Sequence, residues 1–321
     1  MKRVAESDLF GPLYEGISLK KPSNAMLKPE EPETATSKLT NVACYHAELK
    51  GERETMEDYY VLESCFDVGL INVSKCAVFA LFDGHAGSRC AEFCSKNIVK
   101  TLEKHVKNAG KTVEALQKNI RKIFTDTFKQ LDDEFLSLAR KSTPKLKDGC
   151  TATVLLFLDD VVYCANVGDS KAIVGRKKED KVVSLSLTEE HTAIVFEERQ
   201  RIQKAGGFVK DGRVMGISEL SRAIGDDPLK KSGVISTPSI KKVTLTENDQ
   251  FVIVACDGLW KAFTETEVIN KVLSTVNEIT TNSDDAAMIY SKAASILASA
   301  AVLKGCGDNV TVLLLPVHNK Q

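Results

Sequence analysis

Short, continuous apolar runs punctuate the chain, each ended at once by a turn signal. The clearest, Val78-Phe79-Ala80-Leu81-Phe82, stops on Asp83-Gly84-His85. A run of this length with no polar alternation predicts a strand buried on both faces. Similar strands are predicted over 42–46, 59–62, 151–158, 161–165, 172–174, 182–187, 250–255 and 310–315, and Asp159-Asp160 reads as a hairpin turn. Between them, Val113, Leu116, Ile120, Ile123, Phe124, Phe128, Leu131, Phe135 and Leu138 recur at three- and four-residue spacing. That period predicts one long amphipathic helix or a pair, with these residues as its core face. Thr264 to Glu267 has capping-box spacing and opens a further helix. An Ala-rich helix over 283–304 stops at Gly305. Strands joined by short turns, with helices in long excursions, predict an α+β layered domain with largely antiparallel sheets.

The first 39 residues carry Pro12, Pro22, Pro29 and Pro32 among polar residues and hold no period, so we expect a flexible tail over 1–39 and one domain over 40–318. In 321 residues, 43 basic and 44 acidic side chains nearly cancel, which gives no footprint for nucleic acid or an anionic membrane. No apolar stretch approaches the roughly 20 residues of a membrane span, and the N-terminus lacks a secretory core. Nine scattered cysteines, many in apolar segments, suit a reducing compartment. A cytoplasmic location is expected, with the nucleus as the alternative. Cys90 and Cys94 are four apart on a helix; a packed helix face is expected there rather than a zinc pair.

Asp-Gly alone is an ordinary turn dipeptide. The acids, however, recur at strand ends. Asp257 follows the run 251–256, Asp308 precedes 310–315, Asp169 lies past 161–165, and Glu57-Asp58 leads into 59–62. A buried sheet brings strand ends to a common rim, where such carboxylates repel unless a cation separates them. Oxygen-only ligands, with the Gly84 carbonyl among them, suit a hard ion, Mg²⁺ or Mn²⁺. Two such ions share a water, lower its pKa and direct it at a phosphorus or carbonyl centre. Arg53 is the candidate phosphate clamp. His85 is the candidate proton donor, with His191 as runner-up.

Eight ordered segments carry a family resemblance. They are Glu52-Arg53-Glu54-Thr55-Met56-Glu57-Asp58, Phe82-Asp83-Gly84-His85-Ala86-Gly87, Asp148-Gly149-Cys150-Thr151-Ala152 and Ala165-Asn166-Val167-Gly168-Asp169-Ser170. They continue with Arg201-Ile202 and Ala205-Gly206-Gly207, Glu219 through Asp226, Ala255-Cys256-Asp257-Gly258-Leu259-Trp260, and Gly307-Asp308-Asn309-Val310-Thr311. Together they resemble the metal-dependent serine/threonine protein phosphatases of the 2C type. Three stretches, 50–54, 201–214 and 256–261, mark a closer likeness to one member.

The resemblance implies a β-sandwich of two antiparallel sheets flanked by helices, with two divalent ions at one end. It implies that Asp83 bridges the ions, Glu57 and the Gly84 carbonyl hold one, Asp257 and Asp308 hold the other, and Asp58 orients bound water. Arg53 would bind phosphate and His85 would protonate the leaving seryl or threonyl oxygen. Asp169 matches a third, weaker metal position, which Lys261 puts in doubt because an ammonium there opposes a cation. A flap is expected from Gly212 to about residue 238, with Lys230 and Lys231 as solvated charges or selectors of acidic phosphopeptides. Expected partners are phosphoprotein substrates, bound by a monomer. The alternative, an inactive scaffold, predicts a lost metal acid, and none is missing.

Overall fold

In the computed structural model, residues 39–280 and 285–317 are described. The expected tail over 1–39 lies outside them except for Leu39. The strands are β1 (Tyr45–Leu49), β2 (Tyr59–Glu63), β3 (Cys76–Phe82), β4 (Gly84–His85), β5 (Gly149–Cys150), β6 (Ala152–Leu158), β7 (Val161–Val167), β8 (Lys171–Lys178), β9 (Lys181–Ser186), β10 (Val209–Lys210), β11 (Arg213–Val214), β12 (Ile224–Gly225), β13 (Ser239–Thr244), β14 (Asp249–Ala255) and β15 (Val310–Pro316). The helices are α1 (Arg89–Ala109), α2 (Val113–Lys141), α3 (Phe196–Lys204), α4 (Asp227–Lys230), α5 (Asp257–Ala262), α6 (Glu265–Thr280) and α7 (Ala286–Leu303).

Two five-stranded antiparallel sheets form the sandwich, ordered β13-β7-β6-β3-β2 and β1-β15-β14-β8-β9. The unbroken apolar runs have a direct cause: each central strand is buried twice. In β3, Ala77, Phe79 and Leu81 face the opposite sheet, while Val78, Ala80 and Phe82 pack under α1 and α2. In β14, Val252 and Val254 meet the first sheet, while Phe251, Ile253 and Ala255 pack with residues of α5, α6 and α7. Strands covered on both faces lose the polar alternation of a solvated sheet.

The predicted helical period is one 29-residue helix, α2. Its last predicted core position, Leu138, is exposed instead, and the neighbouring Ala139 takes the place in the core. The capping box is present: the Thr264 amide donates to Glu267 Oε2 at 2.7 Å and the Glu267 amide donates to Thr264 Oγ1 at 3.3 Å. Helix α7 is long and apolar enough to cross a membrane by composition. Here its Ala293, Leu297 and Ala301 lie in the core over the second sheet.

Antiparallel pairing puts the functional ends together. The start of β2 pairs with the end of β3 through Tyr59 and Phe82. The end of β14 pairs with the start of β15 through Ala255 and Val312. Each of these ends has an acid within two residues of it, Asp58 and Asp83 directly and Asp257 and Asp308 one residue further on, so the acids share one rim.

Candidate metal centre and catalytic cavity

A cavity of about 840 Å³ opens at this rim. Arg53, Glu57, Asp83, Gly84, His85, Asp169, Asp257 and Asp308 all line it. Oxygens of Asp83, Asp169 and Asp257 lie within 4.8 Å of one another, and Asp58, Asp83 and Cys256 form a second such group. Glu57 and Asp308 line the cavity without joining either group.

Backbone contacts hold Asp83 in place. Its amide donates to Thr151 Oγ1 at 3.1 Å and its carbonyl accepts from the Thr151 amide at 2.9 Å. Gly84 is required sterically, because a Cβ there would sit 2.4 Å from the Glu57 carbonyl oxygen. Asn309 ties the loop before β2 to the start of β15. Its side chain accepts from the Glu57 amide at 2.8 Å and donates to the carbonyls of Lys50 and Thr55 at 2.8 and 3.0 Å.

The electrostatics are those of crowded acids. Burial, then the neighbouring Asp58, Asp257, Asp169 and Asp308, push Asp83 well above the usual carboxylate range. Burial chiefly raises Asp58 to about 6 and Asp169 to about 7. Asp58 Oδ2 accepts from Thr311 Oγ1 at 2.7 Å, but its buried Oδ1 has no partner. An orphaned carboxylate oxygen, crowded acids and an oxygen-rich donor set fit hard divalent ions such as Mg²⁺ or Mn²⁺. Cys256 adds no competing soft ligand. Burial lifts its thiol pKa well up, and the thiol donates to the Asn309 carbonyl.

Two cations of the chain already reach these acids. Arg53 Nη2 donates to Asp308 Oδ2 at 3.0 Å from an exposed position at the rim. Lys261 pairs with Asp257 and lies 3.8 Å from Asp308. Burial opposes its charge, but Asp257 outweighs burial and raises its pKa.

The candidate proton donor, His85, has a partner that the sequence reading gave no role. His85 Nε2 lies 2.9 and 3.0 Å from the two oxygens of Asp226. Burial alone would lower the imidazole pKa, but Asp226 outweighs it and raises the value. Gly149 makes room, since a Cβ there would meet His85 Nε2 at 2.5 Å and Asp226 Cγ at 2.6 Å. The signal for Asp226 was its place in the flap motif; the 141 residues separating it from His85 hid the pairing.

The runner-up His191 does not belong to this site. It lies outside the cavity lining, bonds Ser239 Oγ at 2.9 Å, and is driven by burial to about 4. A neutral imidazole of that kind supplies no proton at pH 7. Lys230 is also corrected: it is neither a solvated charge nor a peptide selector. Its ammonium donates to the Ala223 carbonyl at 2.8 Å and pairs with Asp132 at 2.9 Å. The flap does line the cavity, through Arg213, Ile217, Ser218, Glu219 and Leu220. Cys90 and Cys94 lie on the buried face of α1, and Cys150 joins them with its sulfur 3.5 Å from that of Cys90, the three sulfurs lying within 4.8 Å of one another.

The profile described as "Protein phosphatase 2C" matches residues 43–310. The chain is 42% identical to the human integrin-linked kinase-associated serine/threonine phosphatase 2C over 294 residues, covering 88% of this chain and 74% of that protein. It is 34% identical to the probable protein phosphatase 2C 8 of Arabidopsis thaliana, covering 84% and 77%. The structure of serine-threonine phosphatase 2C from Toxoplasma gondii superposes with a TM-score of 0.71 at 19% identity, covering 87% of this chain and 96% of that one. A Caenorhabditis elegans sex-determining protein superposes at 0.74 with 24% identity, covering 88% and 66%. The stretches at 50–54, 201–214 and 256–261 had pointed to the integrin-linked-kinase-associated member, and the 42% identity bears that likeness out. From sequence, from fold and from the acids gathered at the sandwich rim, the chain belongs to the protein phosphatase 2C family.

Proposed function

We propose that the chain hydrolyses phosphoserine and phosphothreonine in proteins, with two divalent ions, Mg²⁺ or Mn²⁺, as cofactors. One observation carries the reading: Asp83, Asp169 and Asp257 converge within 4.8 Å in the cavity that also holds the His85–Asp226 pair. Asp83, Asp257 and Asp308, with Glu57 and the Gly84 carbonyl, are the groups that would hold the ions, and Asp58 Oδ1 would orient water. When bound, the ions supply an acidified water as nucleophile and neutralise charge on the phosphoryl oxygens.

The remaining chemistry belongs to the chain. Arg53, released from Asp308, binds two phosphoryl oxygens through its planar fork. His85 gives its proton to the departing seryl or threonyl oxygen as the P–O bond breaks. With Nε2–H held by Asp226, the transferable proton of the imidazolium is the one on Nδ1. Lys261 already supplies a cation beside Asp257, which argues against a third ion at Asp169. An inactive scaffold has no feature in its favour, because every metal acid is present and lies at or beside the cavity.

The human relative's name associates it with integrin-linked kinase. Phosphorylated signalling proteins of the cytoplasm or nucleus are therefore the substrate class we favour. The test is phosphate release from a phosphothreonine peptide with and without Mn²⁺. We expect turnover only with metal, and none in Asp83→Asn; metal-independent turnover would overturn the reading.

A further inference from the structure

A second concave surface lies away from the catalytic rim and shares no lining residue with it. It is a groove of about 500 Å³ between the first turns of α2 and the β7–β13 edge of the first sheet. Its floor is Tyr163 with the half-buried Ile120 and Ile240; Lys118, Arg121 and Lys242 stand around it, all exposed.

Two independent features of this groove call for an anion. The first is its charge. Lys122 and Lys129, also on α2, each pair with an acid one turn on. Lys118 and Arg121 have no acidic partner among the described residues, and Lys242 only overlies the Tyr163 ring at 5.7 Å. Lys241 is already committed, donating to the Thr188 carbonyl at 3.1 Å. Glu114 is the sole acid at the lip. Three free cations gathered in one concavity, on a chain of net charge −1, focus a positive field.

The second feature is an unsatisfied donor. Tyr163 is 2% exposed, and its hydroxyl has no hydrogen-bond partner. Buried hydroxyls are almost always paired, so an orphan at the floor of a groove marks a place where a ligand atom belongs. Burial raises the phenol pKa, so the group keeps its proton and can donate it.

We propose that this groove is a second phosphate-recognition site, which docks an acidic, phosphate-bearing peptide segment of a protein partner. A phosphoryl oxygen accepts from Tyr163, Lys118, Arg121 and Lys242 surround the group, and Ile120 and Ile240 take the hydrocarbon of the flanking side chains. A concave floor with apolar footing suits a peptide better than a flat lipid surface does. The choice of a phosphoprotein as partner rests on the phosphatase reading above; the anion site itself rests on the groove.

The test uses the full chain labelled at isoleucine methyls, titrated with an acidic peptide carrying a non-hydrolysable phosphonate. Ile120 and Ile240 report on the groove, and Ile217 reports on the catalytic cavity. We expect both groove methyls to shift. Lys118→Gln/Lys242→Gln should weaken that response about tenfold and make it less sensitive to salt. The conservative Tyr163→Phe should weaken it about threefold. Neither variant should change hydrolysis of p-nitrophenyl phosphate. Shifts confined to Ile217 would overturn the inference while leaving the phosphatase reading intact, as would groove shifts unaltered in both variants. Response of the groove methyls to phosphoinositide vesicles but not to the peptide would assign the site to a membrane and overturn it too. Loss of p-nitrophenyl phosphate turnover in the wild type with groove shifts present would sink the phosphatase reading alone.

Discussion

Two acids, Glu198 near the flap and Asp83 at the rim, have their charges settled in opposite ways. On the flap side, Glu198 of α3 is 3% exposed and accepts from Arg201, Arg222 and Ser221 at 2.6 to 3.1 Å. Burial would raise its pKa, but those partners outweigh burial and hold it at about 2. At the rim, Asp83 is hemmed by other acids and forced upward. The chain brings two guanidinium groups to Glu198 and none to Asp83. Buried charge that serves structure is neutralised from within, whereas the rim leaves room for cations from solution.

That contrast is breakable by substitution. Asp83→Asn should lower kcat at least about a thousandfold, because it removes the carboxylate common to both ligand groups. In metal-free buffer the same variant should melt no lower than wild type, since a repelling charge is gone. Steady-state kinetics and a chelated thermal melt check both halves.

Glu198→Gln should do the reverse, costing about 3 kcal/mol of stability because it strands Arg201 and Arg222. Its pH signature has a definite sign. A folded-state pKa of about 2 against an ordinary 4.5 stabilises the protein above pH 4.5, and the benefit fades as pH falls toward 2. Denaturant unfolding from pH 5 down to 2 should show a steeper loss in wild type than in Glu198→Gln.

Asp226→Asn should lower kcat about a hundredfold with little change in KM, because it removes the carboxylate that keeps His85 charged. The smallest effect belongs to Lys261→Met. Removing the ammonium that competes for Asp257 should tighten Mn²⁺ binding about tenfold, read by calorimetry.

The sandwich was legible in the sequence because its strands are buried on both faces and therefore read as unbroken apolar runs. Edge strands were harder to place. β1 was expected over 42–46 and lies at Tyr45–Leu49, alternating half-buried and exposed, while Val42 and Cys44 pack at the inter-sheet core without joining the ladder. β13, Ser239–Thr244, was missed because SIKKVT carries two lysines on an edge that pairs on one side only. The acids of the rim were legible from their places at strand ends. Asp226 was not, since nothing local ties a flap residue in a left-handed turn at φ 53° to a histidine beyond β3. The arrest of Lys230 by Asp132 was equally invisible, because it depends on α2 lying beside α4.

The central claim is that the rim acids are built to receive divalent ions. Calorimetric titration of the full chain with Mn²⁺ tests it most directly, with the thermal midpoint followed alongside. We predict saturable binding of two ions, a midpoint that rises with metal concentration, and loss of both in Asp83→Asn. A wild-type titration with no binding, or unchanged binding in Asp83→Asn, would contradict it.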